Sequence, residues 1–235
     1  MQWCSNSDYR DDLISRRYDF HVRDINQFVD RLRREHPDKF IPYVAPTYGG
    51  NNARLLALLQ DPGPATNPEI RNGSEMLCIE NDDGTANRYK AFLNENLIDV
   101  SDIQAWNAFP WYVSRPGRYQ PGKPSQYPKA DIHAATEALA ELIDLMPKLH
   151  VVLLHGLVAQ DAWGELRQRR PAAANRPKIV IDTYHPGEQA VDPDTKSRAH
   201  IQKIEGSLQS AFSKAGSALR ASNRRPYDPW TEPPF

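Results

Sequence analysis

Four short apolar runs, separated by segments of helical character, constrain the fold of this chain more than any other feature. Each run is too short for a typical helix and is followed by polar or turn-forming residues, as buried strands often are. The runs cover 53–59, 103–108, 149–154 and 178–181, and the helical segments cover 11–34, 86–97, 131–146, 159–169 and 197–219. Their alternation predicts an α/β fold in which a central four-stranded parallel sheet is flanked by helices.

Length and composition are compatible with one domain. A chain of 235 residues with 40 % hydrophobic content can bury one α/β core. We expect a single domain over 1–235, with N-terminal helices at about 11–34 and an extended proline-rich tail at about 222–235. No run approaches the roughly 18 apolar residues of a membrane span, and the first residues do not place an apolar stretch behind a basic cluster. We therefore expect a soluble, cytoplasmic protein with no membrane partner.

The cysteine content limits the cofactors that the chain can hold. Cys4 and Cys78 are its two cysteines, which excludes a disulfide framework and any iron–sulfur or zinc site built on several thiolates. We expect both to be free thiols, and we expect no metal or other cofactor. The sequence also lacks a P-loop, a Gly-x-Gly-x-x-Gly turn after a strand, a Gly-x-Ser-x-Gly elbow and a His-Glu-x-x-His pair, which argues against the enzyme classes that depend on them.

Polar motifs follow three of the predicted strands. They are Gln-Asp-Pro-Gly at 60–63, Trp-Asn at 106–107 and Tyr-His-Pro-Gly at 184–187. Because the carboxyl ends of parallel strands meet at one edge of a sheet, we expect the three motifs to gather there. Each residue taken alone also suits a structural role: Asp61 in a turn, Asn107 as a helix cap and His185 as a partner for its own loop.

The order of these motifs resembles that of the uracil-DNA glycosylase superfamily, over about 54–219. The first motif of that superfamily is Gly-Gln-Asp-Pro-Tyr in one branch and Gly-Glu-Ala-Pro-Gly in another, and the motif at 60–63 resembles a blend of the two. Its base-reading asparagine follows the second strand, as Asn107 does, and its last motif is His-Pro-Ser, where this chain has His-Pro-Gly at 185–187. The resemblance implies a monofunctional DNA glycosylase that flips a pyrimidine nucleotide and leaves an abasic site.

The chemistry of glycosidic cleavage gives the three motifs distinct roles. The bond breaks with positive charge on the sugar and negative charge on the departing base. Asp61 is the candidate catalytic carboxylate beside the developing oxocarbenium ion, where it can also hold the attacking water. His185 is the candidate donor to the pyrimidine O2, and the amide of Asn107 can read the Watson–Crick edge of an extruded base. Gln60, Gly63 and Cys78 complete the predicted base-recognition set.

The chain departs from the superfamily pattern in its base pocket. The iron–sulfur cluster of the Gly-Glu-Ala-Pro-Gly branch requires four cysteines, so the resemblance implies a branch without a cluster. The aromatic residue that stacks on the base is replaced by Met-Leu-Cys-Ile at 76–79. Alternatives for this function are pocket lining by Leu77 or Cys78 and stacking by Tyr48, Tyr89 or Phe92. In the superfamily, a large apolar residue after the His-Pro motif inserts into the duplex as a wedge. Here the corresponding residues are the small or polar Glu-Gln-Ala-Val at 188–191, which argues against insertion into duplex DNA.

Three functional hypotheses remain open. In the branch with Gly-Gln-Asp-Pro-Tyr, the tyrosine excludes bases substituted at C5, and here Gly63 leaves room at that position. The substrate is therefore either uracil, in repair, or a C5-modified cytosine such as a glucosylated phage base, in anti-phage defence. A third hypothesis is a non-catalytic relative that binds modified or damaged DNA without cutting.

Although the formal net charge is −1, positive charge is concentrated in two segments of the chain. The segment 110–130 carries four cations and no acid, among them Arg115, Arg118 and Lys123, which we predict to contact DNA. Aromatic residues in the same loop could stack on a DNA strand or pack within the loop. A second acid-free segment, 166–181, holds five cations, and either cationic segment could also be ordinary solvated charge. DNA, single- or double-stranded, is the expected partner, and no obligate protein partner is evident.

Overall fold

A four-stranded parallel sheet forms the centre of the fold, as the alternation of runs predicts. The computed structural model describes residues 4–71, 73–81, 84–111, 128–187, 191–192, 194 and 196–222. Its strands are β1 (Tyr43–Val44), β2 (Leu55–Leu59), β3 (Met76–Leu77), β4 (Ile103–Asn107), β5 (Val151–His155) and β6 (Ile179–Thr183). Within the central sheet the order is β4-β2-β5-β6, and all neighbouring strands are parallel. The predicted strands are confirmed, with ends shifted by at most a few residues.

Helices flank this sheet, and all of the longer ones lie at or near the predicted positions, whereas the four-residue helices α3 and α7 were not predicted. They are α1 (Ser7–Ser15), α2 (Arg23–Glu35), α3 (Pro68–Arg71), α4 (Gly84–Glu95), α5 (Lys129–Asp144), α6 (Leu157–Arg169), α7 (Pro171–Ala174) and α8 (Arg198–Ser222). Helix α6 packs against β2, β5 and α5, whereas α8 packs against β5, β6 and α4. None of the helices within the described ranges is long and apolar enough to cross a membrane.

Burial explains why the strands read as continuous apolar runs. Leu55, Leu56, Ala57 and Leu58 of β2 are completely buried, and every residue of β5 is buried. Parallel strands covered on both faces require such runs, since no face is left to water. The edge strand β6 is less covered, and most of its residues are only partly buried. The core of the sheet therefore lies along its two central strands, β2 and β5.

A second, two-stranded sheet was not predicted. Strand β1 pairs in parallel with β3, with Tyr43 opposite Met76 and Val44 opposite Leu77. Two residues are too few to establish a period along the sequence, so neither segment stands out as a strand. The small sheet is also tied to α2, because buried Asn26 accepts from the backbone N–H of Val44 at 2.8 Å and donates to its carbonyl at 2.9 Å.

Candidate active site

Three of the predicted polar motifs lie beyond the carboxyl edge of the central sheet. Asn107 ends β4 opposite Leu59 of β2, and the backbone N–H groups of Ala108 and Phe109 donate to the carbonyls of Leu59 and Gln60 at 2.8 and 3.0 Å. The pairing of β2 and β4 thus continues past both strands and holds their motifs side by side. His185 follows β6 at the same edge, with β5 between β6 and β2.

Asp61 is half-buried at the start of a well-fixed turn. The side-chain amide of Gln60 donates to Oδ1 of Asp61 at 2.8 Å. Further along the turn, the carbonyl of Gly63 accepts from both the hydroxyl and the backbone N–H of Thr66, at 2.7 and 3.0 Å. The bond from Gln60 orients the carboxyl group, and the bonds of Thr66 fix the turn that follows it, so the carboxylate is positioned as catalysis requires.

Asn107 is a buried amide with an unused donor. Its side chain is only 3 % exposed, and Nδ2 has no hydrogen-bond partner among the described residues. A buried N–H group without a partner is unfavourable, so natural proteins keep such groups chiefly where a ligand, an ion or a water satisfies them. The amide is therefore available to a bound molecule at the carboxyl edge.

His185 has a defined tautomer. The backbone N–H of Gly187 donates to Nδ1 at 3.0 Å. Because an N–H can only donate, Nδ1 is the unprotonated nitrogen, and the neutral ring carries its proton on Nε2. Burial lowers the pKa of His185 to about 4, so the ring is neutral at pH 7. The loop uses one nitrogen and leaves the other as a hydrogen-bond donor.

The end of β5 contributes two residues that the sequence did not single out as functional. Gly156 has φ +85°, and its N–H donates to the carbonyl of Thr183 at 2.8 Å. A Cβ at this position would lie 3.2 Å from Cβ of His185, so the absence of a side chain lets the two segments approach closely. The sequence did offer a signal for them. Of the four predicted strands, only the one at 149–154 was not followed by an assigned motif, and His155 and Gly156 lie directly after it.

His155 is buried beneath the His185 loop, with 1 % of its surface exposed. Its Nδ1 lies 3.4 Å from the carbonyl oxygen of Tyr184, and its ring packs edge-on against Tyr89 and at a tilt against Phe212. Burial, together with the nearby His185, lowers the pKa of His155 to about 3. Its Nε2 has no partner among the described residues.

Cys78 lies in a different setting from the motifs above. Its Sγ is 3.5 Å from Sγ of Cys4 and 2.9 Å from Oε2 of Glu80. Both cysteines are buried free thiols, as predicted, and the hydrogen bond with Cys4, burial and the carboxylate of Glu80 raise the pKa of Cys78. These contacts tie the thiol to the N-terminal segment, and its role in base recognition stays a prediction.

The candidate stacking aromatics are engaged in the core. Tyr48 is buried, Phe92 stacks on Phe212, and Tyr89 packs edge-on against both Phe212 and His155. Gly63, in contrast, is exposed, and a Cβ there would meet no described atom within 4 Å. Room at residue 63 is thus compatible with the geometry, whereas a stacking role for Phe92 would require it to leave its partner.

The two cationic segments differ in what the structure describes of them. Arg115, Arg118, Lys123 and the wedge positions 188–190 lie outside the described residues, as does the tail from 223. The segment 166–181 is acid-free in sequence but not in space. Acids of α5 and α6 pair with three of its arginines: Arg169 with Glu165 at 3.0 Å, Arg170 with Glu137 at 2.9 Å, and Arg176 with Asp144 at 2.8 Å. Three of its five cations are thus paired with acids, and its role as a surface for DNA stays a prediction.

Lys39 contacts residues at both ends of the cationic segment 110–130. Its Nζ lies 4.1 Å from the ring centroid of Trp111, which is buried at the start of the segment 110–130, before the undescribed residues 112–127. The same Nζ is 2.5 Å from Oδ1 of Asp131, which follows that segment in the first turn of α5. One side chain therefore contacts a described residue on each side of 112–127.

Comparison with known proteins finds solved structures that are similar to this chain. The chain is similar to the crystal structure of wild-type Pedobacter heparinus SMUG2, with 14 % sequence identity, a TM-score of 0.44, and coverage of 92 % of this chain and 98 % of that chain. No family model and no curated protein sequence matches the chain. At this level of similarity, function has to be argued from the residues at the carboxyl edge of the sheet.

Proposed function

We propose that the protein is a monofunctional DNA glycosylase of the uracil-DNA glycosylase superfamily, with Asp61 and His185 as catalytic residues and Asn107 as the base reader. The observation that carries the proposal is the state of His185: a neutral ring whose Nδ1 accepts from Gly187 and whose Nε2 therefore bears the proton. Such a ring donates a hydrogen bond without bringing a positive charge that would have to be desolvated. It suits a departing base whose negative charge develops on O2.

The proposed reaction is a hydrolysis that needs no cofactor. The bond between the sugar C1′ and the base nitrogen breaks, and its electron pair leaves with the base. Nε2–H of His185 stabilises the charge on O2, while the carboxylate of Asp61 faces the oxocarbenium ion at C1′. Water then adds to C1′, and its proton passes to the carboxylate and finally to the released base. Gln60 supports this step because its amide orients Asp61.

Asn107 supports selection of a pyrimidine. An amide has one donor side and one acceptor side, which match the O4 acceptor and the N3–H donor of uracil. Nδ2 of Asn107 has no partner among the described residues, so an extruded base would supply the missing acceptor. The same amide turned by 180° matches the N4–H donor and the N3 acceptor of cytosine, so Asn107 can read the edge of either pyrimidine.

A second candidate substrate, a C5-modified cytosine, is favoured by the surroundings of Gly63. The residue is exposed, and a side chain there would enter space free of described atoms. A pocket bounded by Gly63 would accept a bulky group on C5. The biological setting would then be defence against phages with modified DNA, whereas uracil release would indicate repair. Arg115, Arg118 and Lys123 are proposed to hold the DNA backbone in either case.

The proposal is tested by measuring base release. The protein is incubated with uracil-containing single- and double-stranded oligonucleotides and with phage DNA containing glucosylated hydroxymethylcytosine, followed by alkali and by mass spectrometry of free bases. We expect release from at least one substrate, and loss of release in Asp61→Asn. Asp182→Asn is the matched control because Asp182 is exposed on β6, and it should release base at the wild-type rate.

Three results would separate the alternatives. Release of uracil alone supports repair, and release from modified phage DNA but not from its unmodified counterpart supports the defence hypothesis. Salt-dependent DNA binding without release from any substrate would overturn the enzyme proposal and favour a non-catalytic reader. Equal activity of the wild type and Asp61→Asn would show that the reaction occurs elsewhere on the protein.

A further inference from the structure

We propose that His155 is a positioning residue, which holds the His185 loop through the carbonyl of Tyr184 and thereby keeps the catalytic proton on Nε2 of His185. The catalytic meaning of this contact rests on the proposed function, whereas the contact and its effect on the tautomer can be tested without DNA. No motif includes His155, and it acts through the loop without touching the reacting atoms.

The contact between β5 and the loop has three parts. Gly156 supplies two of them: its N–H donates to the carbonyl of Thr183, and because it has no side chain, His185 can lie where a Cβ would come within 3.2 Å of it. The third comes from a side chain, since Nδ1 of His155 faces the carbonyl of Tyr184 at 3.4 Å. Residues 183–185 are thus contacted by His155 and Gly156, and only the contact with Tyr184 depends on a side chain that a substitution can remove.

The tautomer of His155 follows from this partner. A carbonyl oxygen can only accept, so Nδ1 of His155 carries a proton and Nε2 of the neutral ring does not. The neighbouring titratable side chains are His185 on the loop and Tyr89 on α4, while Phe212 of α8 covers the ring with an apolar surface. A second charge beside His185 would be repelled, so a neutral ring is the form that suits this site.

Packing alone does not account for a histidine at this position. The ring is 1 % exposed and stands between two aromatic residues, where leucine or phenylalanine would fill the space without a polar cost. The present residue instead leaves Nε2 without a described partner. The donor at Nδ1 is what histidine adds, and its acceptor belongs to the residue directly before His185.

The consequence for His185 is geometric. Its Nδ1 accepts from Gly187 only while the chain from Tyr184 to Gly187 keeps its present path. If the Tyr184 carbonyl is released, Gly187 N–H moves away from Nδ1, and the ring gains access to the other tautomer. The fraction of molecules with a proton on Nε2 then falls, and with it the donor for the departing base.

The test uses the full-length protein labelled with ¹⁵N-histidine. The tautomer of His185 is read from the ¹⁵N shifts of its ring, assigned with the His185→Gln variant, and hydrogen exchange of the Gly187 amide reports the loop. We expect His155→Phe to mix the two tautomers of His185 and to speed Gly187 exchange at least tenfold. His150→Phe is the matched control, because His150 precedes the opposite end of β5, and it should change neither readout.

A conservative pair of variants separates positioning from packing. In His155→Asn the side-chain amide can take the place of Nδ1 and donate to Tyr184, whereas in His155→Gln the amide reaches the place of Nε2. We expect the asparagine variant to retain the wild-type tautomer and exchange rate and the glutamine variant to lose both. This pair also decides the matter if His155→Phe does not fold, and equal spectra for the two variants would overturn the proposal.

Base release is measured on the same variants as a separate readout. If a substrate is found, kcat should fall in His155→Phe and His155→Gln but not in His155→Asn, with KM little changed. If no DNA releases a base while the tautomer contrast persists, the proposed function fails and the role of His155 stands. Wild-type tautomer and exchange in His155→Phe would end the inference, whatever the activity.

Discussion

The two ends of the central sheet satisfy their polar groups in different ways. At the amino end, Arg54 precedes β2 and donates to both carboxylate oxygens of Asp102 at 2.8 and 2.6 Å, and to the carbonyl of Leu219 and the hydroxyl of Ser222 at 2.9 and 3.0 Å. At the carboxyl end, Nδ2 of Asn107, Nε2 of His155 and Oγ1 of Thr183 are buried without partners among the described residues.

This difference indicates that the polar groups at the amino end serve stability and those at the carboxyl end serve function. Buried polar groups that bond one another contribute to folding, whereas buried groups without partners oppose it. Buried atoms without a described partner also occur nearer the amino end, at Oδ1 of Asn51 and Oε1 of Gln104, but those at the carboxyl end lie beside the three predicted motifs. A ligand bound there would supply their partners, and sites that break local rules are often functional. Substitutions at the two ends should consequently affect different measurements.

The largest expected effect is on activity at the carboxyl end. Asn107→Ala should lower the rate of base release by about 10²-fold, in the range found when one electrostatic group is removed from a catalytic site. Its free energy of unfolding should change by less than about 0.5 kcal/mol, because the substitution removes an unpaired donor. Base release and urea denaturation measure the two effects, with exposed Asn175→Ala as the control. A stability loss above about 2 kcal/mol with wild-type activity would show that Asn107 serves folding rather than base release.

The next largest effect is on stability at the amino end. Arg54→Met should lower the free energy of unfolding by about 2 kcal/mol, because Asp102 and the carbonyl of Leu219 lose a charged partner in a mostly buried setting. The activity of the folded protein should not change. Urea denaturation at pH 7 measures the loss, and Arg34→Met, on the exposed side of α2, is the control. Loss of base release without loss of stability would contradict the separation of the two ends.

Lowering the pH should reduce the free energy of unfolding through the two histidines at the carboxyl end. The pKa of His185 is lowered to about 4 and that of His155 to about 3, so the unfolded chain binds protons near pH 6.5 while the folded chain does not. The stability that both rings contribute is complete above pH 6.5 and is lost as the pH falls towards these values.

Between pH 7 and pH 5 we expect a loss on the order of 1–2 kcal/mol for each ring. His155→Phe should remove the loss that comes from His155. The free energy of unfolding of this variant should therefore fall less steeply with decreasing pH than that of the wild type. Urea denaturation at the two pH values measures this difference, and His150→Phe provides the baseline. Parallel curves for the wild type and His155→Phe would mean that His155 titrates alike in the folded and unfolded chain.

Sequence periodicity was sufficient for the central sheet and its helices because these elements follow from local pattern. The apolar runs of β2 and β5 have no other arrangement in a covered sheet, and their order along the chain implied a shared carboxyl edge for Asp61, Asn107 and His185. The two-residue strands β1 and β3 were not predicted because their pairing depends on contacts distant in sequence.

Interactions between elements could not be predicted for the same reason. Arg170 meets Glu137 only because α6 ends beside α5, so the segment 166–181 looked more cationic in sequence than it is in space. The role of His155 likewise depends on the parallel register that brings it opposite Thr183, one residue before Tyr184. Residue types indicated the chemistry of the three motifs, whereas the supporting contacts required the packed structure.

The smallest expected effect distinguishes two glycines of the carboxyl edge. Gly63 has φ −77° and an open surrounding, so Gly63→Ala should raise the free energy of unfolding by about 0.5 kcal/mol through lower entropy of the unfolded chain. Gly156 has φ +85° and contacts His185, so Gly156→Ala should lower stability by about 1 kcal/mol and slow base release. Urea denaturation and base release on uracil and C5-substituted substrates measure both variants. If Gly63 bounds the base pocket near C5, Gly63→Ala should slow release of the substituted base alone, and equal rates on both substrates would show that residue 63 does not contact the base.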